Sequence, residues 1–235
     1  MIRLYAPDIE NDELLPEVES GHCCRVLRMH AGDSVNVVDG KGHVFECEIV
    51  DANPRHTAVR ILEKYDEPLY WSPRITLAVA PTKNMDRMEW LAEKAVEIGI
   101  DRLVFLICAH SIRKIVKCER IEKILVSAMK QSLKSMLPEF SGMVDFATFV
   151  GEKSSAVKYM GYCDDTFIRR EFAKEYDGVS DVTILIGPEG DFTEQEVRMA
   201  IDNGFNPVTF GNTRLRTETA ALYSLCATHT IITQK

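Results

Sequence analysis

Apolar positions first alternate with polar ones along the chain and later recur at a helical spacing, so its two ends predict different architectures. Up to residue 66 the runs RLYAP, DSVNVVDG, HVFECEIVDA and TAVRILEKY are short, alternating or rich in β-branched residues, the pattern of strands with one buried face. Asp39-Gly40-Lys41-Gly42 separates two of these runs and predicts a hairpin. GHCCRVLRM reads as a short helical insert. The strand pattern stops in EKYDEPLYWSPR, where Pro68 and Pro73 bracket charges and aromatics. We place a domain boundary there, with a small β domain over 1–70 and a second domain over 71–235.

Beyond the boundary, strand and helix patterns take turns. ITLAVAP, DRLVFLICA, DVTILIG and NPVTFG read as strands, and MDRMEWLAEKAVEIG, CERIEKILVSAMKQSLKSM and TEQEVRMAIDNG as helices, with a closing helix from Glu218 to Ile232. Gly99 and Pro138 are the expected stops of the first two helices. Alternation of this kind predicts an α/β fold, a mostly parallel sheet covered by helices.

Composition narrows the classes. The chain has 235 residues, enough for two unequal domains, and its 46% hydrophobic content supports packed cores. No run approaches the roughly 18 apolar residues of a membrane span, and the N-terminal MIRLYAPDIENDELLPE lacks the basic start and apolar run of an export signal. We expect a cytoplasmic protein without a membrane partner. Seven scattered cysteines form no Cys-x-x-Cys pair, which argues for a reducing compartment and for packing roles; neither they nor His22 beside Cys23 and Cys24 suggest a metal site. The formal charge is 28 − 36 = −8, too negative for indiscriminate coating of nucleic acid. One basic segment stands out, with Arg113, Lys114, Lys117, Arg120, Lys123, Lys130 and Lys134 against Glu119 and Glu122. Taken alone it reads as a solvated helix face.

Two loops each follow an apolar strand and open a helix, where α/β sheets collect ligands. In Ile186-Gly187-Pro188-Glu189-Gly190-Asp191-Phe192-Thr193 the glycines permit a tight turn and close approach of a ligand, and Thr193 with Glu196 predicts a capping box. In Phe210-Gly211-Asn212-Thr213-Arg214-Leu215-Arg216-Thr217-Glu218 we expect Thr217 as the helix N-cap and Glu218 in the first turn. As structure alone, both are well-made connections. The chain holds no Gly-x-Gly-x-x-Gly after a strand, no P-loop, no Gly-x-Ser-x-Gly elbow and no His-Glu-x-x-His, so dinucleotide, P-loop and common hydrolase chemistries lose their best signals.

The pair LIGPEGDFTEQE and FGNTRLRTETAAL, in this order, resembles the RsmE-type ribosomal RNA methyltransferases of the SPOUT superfamily. HCCRVLRMHAGD and KNMDRMEWLAEKAVEIGID extend the likeness over the whole chain. The resemblance implies a PUA-like β-barrel followed by an α/β domain whose C-terminal chain passes through a trefoil knot. It also implies a homodimer, with S-adenosylmethionine as methyl donor, 16S ribosomal RNA of the small subunit as substrate and uracil N3 as the methylated atom. No metal is required. Four positions depart from the family: Asp191 where relatives read glycine, Ala109 and His110 in Ala109-His110-Ser111 where they read Glu-Arg-Ser, and Lys134 where arginine is usual.

By the same resemblance, Ile186, Gly187, Gly190, Phe210, Gly211, Leu215, Arg216, Thr217 and Ala220 form the donor pocket. Arg216 stabilises charge developing on the target uracil, and Glu218 or a water it orients accepts the proton; read without the family, these two are a surface arginine and a helix-start carboxylate. Arg3, His22, Arg25 and Arg28, with Arg113 and Lys114, are the candidate RNA contacts, and each is equally readable as surface charge. Rival readings are a SPOUT enzyme acting on a ribose 2′-hydroxyl or a guanine nitrogen, a noncatalytic RNA-binding ribosome assembly factor, and a generic nucleotide-handling α/β protein.

Overall fold

A computed structural model describes residues 2–235, and the chain divides into two compact units, one of residues up to 69 with 125–137 and one of 70–124 with 138–235. In the first unit the alternating runs become β1 (Arg3–Tyr5), β2 (Ser34–Val38), β3 (His43–Asp51) and β4 (Ala58–Asp66). The sheet order is β1-β2-β3-β4, with β1 parallel to β2 and the remaining pairs antiparallel. Gly40 and Gly42 take positive φ in the hairpin between β2 and β3, as the Asp-Gly signal predicts. The inward residues Leu4, Val35, Val37, Phe45, Cys47, Ile49 and Val59 form the core, with Cys23 from the expected helical insert. That insert is a π-helical turn over His22–Val26, and two short helices that the pattern does not announce, α1 (Ile9–Asp12) and α2 (Glu17–Gly21), precede it.

The second unit is built on β5 (Ile75–Val79), β6 (Arg102–Ile107), β7 (Glu139–Asp145), β8 (Val157–Gly161), β9 (Arg170–Glu171), β10 (Val182–Ile186) and β11 (Phe205–Thr209). Every pairing in its sheet is parallel, and the order is β7-β6-β5-β10-β8-β11-β9. Such a sheet is buried on both faces, which explains the mostly apolar runs of β5, β6 and β10. Ala78, Val104, Leu106 and Leu185 pack on one face with Phe146 and Phe149 of α5 (Phe146–Val150) and Val197 and Ala200 of α7 (Glu194–Asp202). Their neighbours in sequence point the other way, toward α3 (Met85–Ile98) and α8 (Thr217–Thr233), which contact each other.

Two helices end for different reasons. Gly99 closes α3 at φ 126°, where a Cβ would meet His229 and Trp71 at 2.9 Å, so this position needs glycine twice over. The helix α4 (Cys118–Gln131) stops well before Pro138, contrary to expectation. Leu133 turns left-handed at φ 54°, the Ser132 hydroxyl donates to the carbonyl of Ala128, and the Lys134 amide to that of Met129. The elements β7, α5, β8, β9 and α6 (Phe172–Glu175) fall in a stretch where the sequence pattern announces nothing.

Candidate active site

The sheet order reverses direction between β5 and β10, and loops leaving the carboxyl ends of β5, β8, β10 and β11 surround an open cavity of about 1060 Å³. This is the switch-point position at which parallel sheets bind ligands. Its volume suits a ligand of nucleoside size, since such sites typically hold roughly 300–1,000 Å³. All nine residues expected in the donor pocket line it, as does Glu218. Thr82, Arg87, Tyr162, Arg169 and Arg214 also line it; Arg87 and Arg214 fall within the motifs quoted above, and Thr82, Tyr162 and Arg169 in none of them.

The first loop is fixed from both ends. Thr193 and Glu196 form the expected capping box, and Glu196 reaches further: its other oxygen accepts the amide of Ala109 at 2.8 Å. Next to Ala109, His110 places Nδ1 3.0 Å from the carbonyl oxygens of both Gly190 and Asp191. Gly187 and Gly190 are needed for closeness, since a Cβ would meet the Phe192 ring at 3.0 Å or His110 at 3.1 Å. The left-handed residue of this loop is Asp191, at φ 60°. Its carboxylate accepts the amides of Phe192 at 2.8 Å and Cys163 at 3.0 Å, which joins the loop after β10 to the loop after β8. Burial, and secondarily the Asp191 charge, raises the Cys163 thiol above its ordinary pKa.

The second loop leaves β11 through Gly211, at φ 126°. Thr217 is not the N-cap of α8, as expected, but its first helical residue; Arg216 occupies the cap, and no side chain caps the helix there. The Thr217 hydroxyl instead donates to the carbonyl of Gly187 at 3.0 Å, tying the two loops together. Glu218 stands in the first turn as expected, 6% exposed, with Arg87 of α3 as ion-pair partner at 3.2 Å. Arg214 and Arg216 are exposed and make no side-chain hydrogen bond or ion pair among the described residues. The apolar wall is Ile186, Phe210, Leu215 and Ala220.

The residues expected to touch RNA divide. Arg3 is 6% exposed and grips Glu67 with two bonds of 2.7 Å, a strut of the first unit. Arg25, Arg28 and Lys114 are exposed, and His22 is half-buried. Arg113 is half-buried and donates to the carbonyl of Lys83 at 2.9 Å. Within the basic segment, Arg120 pairs with Glu89 and Lys130 with Glu19. All seven cysteines are free, and burial holds the Cys23 and Cys47 thiols up at about 11 and about 12. Among the described residues no group of histidine, cysteine and carboxylate side chains is arranged to hold a metal, and no helix is long and apolar enough to cross a membrane.

Comparison with known proteins gives the family. Residues 71–229 match the model of an RNA methyltransferase domain, and residues 15–62 that of an RNA methyltransferase PUA domain. The ribosomal RNA small subunit methyltransferase E of Synechocystis sp. is 27% identical over 97% of this chain and 77% of its own. Among solved structures, the "probable rRNA-methyltransferase" of Porphyromonas gingivalis is 43% identical, with TM-score 0.94 over 100% of this chain and 99% of that one. The ribosomal RNA small subunit methyltransferase E of Neisseria gonorrhoeae, bound to S-adenosylmethionine, is 26% identical, with TM-score 0.84 over 98% of each chain. A parallel α/β unit with a ligand pocket at its switch point, preceded by a PUA domain, defines an RNA-modifying methyltransferase. The chain belongs to the RNA methyltransferase family, of the RsmE type that its loop motifs resemble.

Proposed function

We propose that this protein transfers the methyl group of S-adenosylmethionine to N3 of a uridine in 16S ribosomal RNA of the small subunit. The observation that carries the reading is the pocket itself. Two glycine loops and an apolar wall of Ile186, Phe210 and Leu215 adjoin Arg214 and Arg216, two arginines without side-chain partners among the described residues. A neutral adenine suits the apolar wall and backbone groups, and a cation at Arg216 suits a base that becomes anionic. The donor, when bound, supplies an electrophilic methyl group. Arg216 stabilises the charge on the uracil, and Glu218, or a water it orients, takes the N3 proton. Arg25 and Arg28, with Lys114, hold RNA phosphates.

We further propose a PUA-like barrel for the first unit, a trefoil knot in the C-terminal chain, a homodimer and a cytoplasmic location, all carried by the family. Support for the homodimer comes from α8, which is apolar on more than one face and leaves Tyr223 half exposed. Incubation with the donor and unmodified small-subunit RNA, followed by nucleoside mass spectrometry, tests the activity. The expected product is 3-methyluridine. A 2′-O-methylated nucleoside or a methylguanosine would replace the base assignment, and donor binding without transfer to any RNA would favour an assembly factor.

A further inference from the structure

Glu218 is a carboxylate within the protein body, and a charge so placed is costly without a counter-charge. Arg87 supplies one, with Nη1 3.2 Å from Oε1. The arginine is not itself buried: 41% of its side chain is exposed, and it lines the same cavity as Arg216. A guanidinium carries five N–H donors in a rigid fork. Glu218 engages one end of it, and the rest meets no side-chain partner among the described residues. Asn84 caps the helix that carries Arg87, its side chain accepting the Asp86 amide at 2.9 Å, so the base of the arm is fixed as well as its tip.

The chemistry calls for a second cation. When uracil N3 loses its proton, the negative charge spreads onto the two carbonyl oxygens that flank it, and one arginine cannot face both squarely. We propose that Arg87 is a second catalytic arginine, oriented by Glu218, which donates to one carbonyl oxygen of the uracil anion while Arg216 serves the other. This rests on the base-N3 reading above. In the step, the N3–H bond breaks and the proton passes to water. The N3 electron pair forms the bond to the methyl carbon, and the methyl–sulfur bond breaks with its pair remaining on sulfur. Both arginines stay protonated throughout. Glu218, with Oε1 committed to Arg87, is a positioning residue in this scheme, and the water it orients is the proton acceptor.

The test uses full-length protein, saturating S-adenosylmethionine, and an RNA that the wild type methylates at N3, transcribed once with uridine and once with 5-fluorouridine. Fluorine withdraws charge and makes the N3 proton more acidic, so the anion needs less help. Arg87→Gln should slow single-turnover transfer to the uridine RNA about 10²-fold, the scale of removing one anion-hole donor. It should leave donor affinity by calorimetry unchanged, and the deficit should shrink on the fluorinated RNA. Arg87→Lys should recover part of the rate, and Glu218→Gln should show the same rescue by fluorine. An equal deficit on both RNAs would overturn the proposal. So would weakened donor binding with a normal rate at saturation, which would make Arg87 a ligand of the donor's carboxylate. Failure of the underlying reading shows separately, as a wild type that produces no 3-methyluridine.

Discussion

Asp191 shows how one side chain sets the shape of a site. A left-handed conformation costs an L-residue roughly 1–2 kcal/mol, and glycine is free of that cost. The two bonds to the amides of Phe192 and Cys163 offset it. Asp191→Ala keeps the strain and removes both bonds, so we expect an unfolding free energy lower by about 2 kcal/mol and weaker donor binding, since a hydrogen bond to a charged group contributes about 1.5–3 kcal/mol. Asp191→Gly, which relieves the strain, should fall between this variant and the wild type; paired denaturant titrations give the order. Cys163 offers a second check at this scale. It is exposed at the cavity wall, so bound S-adenosylhomocysteine should slow its alkylation while leaving Cys118, half-buried and outside the cavity, unaffected. Equal protection, or none, would move the ligand away from the β8 loop.

Among the elements, the strands and helices that carry the site are legible in the sequence because each declares itself locally. The run VTILI is apolar but for Thr183, Thr193 and Glu196 stand at capping-box spacing, and Glu218 stands in the first turn of an apolar helix. The parts that are not legible depend on partners distant in sequence. Thr217 looks like a cap until Gly187, thirty residues away, offers its carbonyl. Arg3 looks like surface charge until Glu67 closes on it. His110 reads as a departure from a motif, and only the fold shows it gripping the backbone of Gly190 and Asp191. Since α8 lacks a side-chain cap, the Thr217 hydroxyl and the Glu218–Arg87 ion pair are its lateral ties at that end. Thr217→Val should cost about 1 kcal/mol, the usual net worth of a hydrogen bond, and raise the donor dissociation constant more than it lowers the rate at saturation.

At the scale of the whole molecule, a net charge of −8 means that RNA is held by a few placed cations against an unfavourable field. Joint reversal of Arg25 and Arg28 to glutamate should weaken RNA binding and flatten its dependence on salt by about one unit of slope for each phosphate no longer held. Binding unchanged from low to high salt would remove that patch. The catalytic sheet carries a different consequence. Its central strand, β10, inserts between β5 and β8 and pairs with both, although β5 lies more than a hundred residues earlier. Such distant pairing makes for slow closure. On the ribosome, β5, β6 and β7 emerge long before the strand that completes them, and the pocket loops that follow β10 and β11 emerge later than all three. A nascent chain therefore carries three strands of the catalytic sheet before the strand that joins them to the pocket exists.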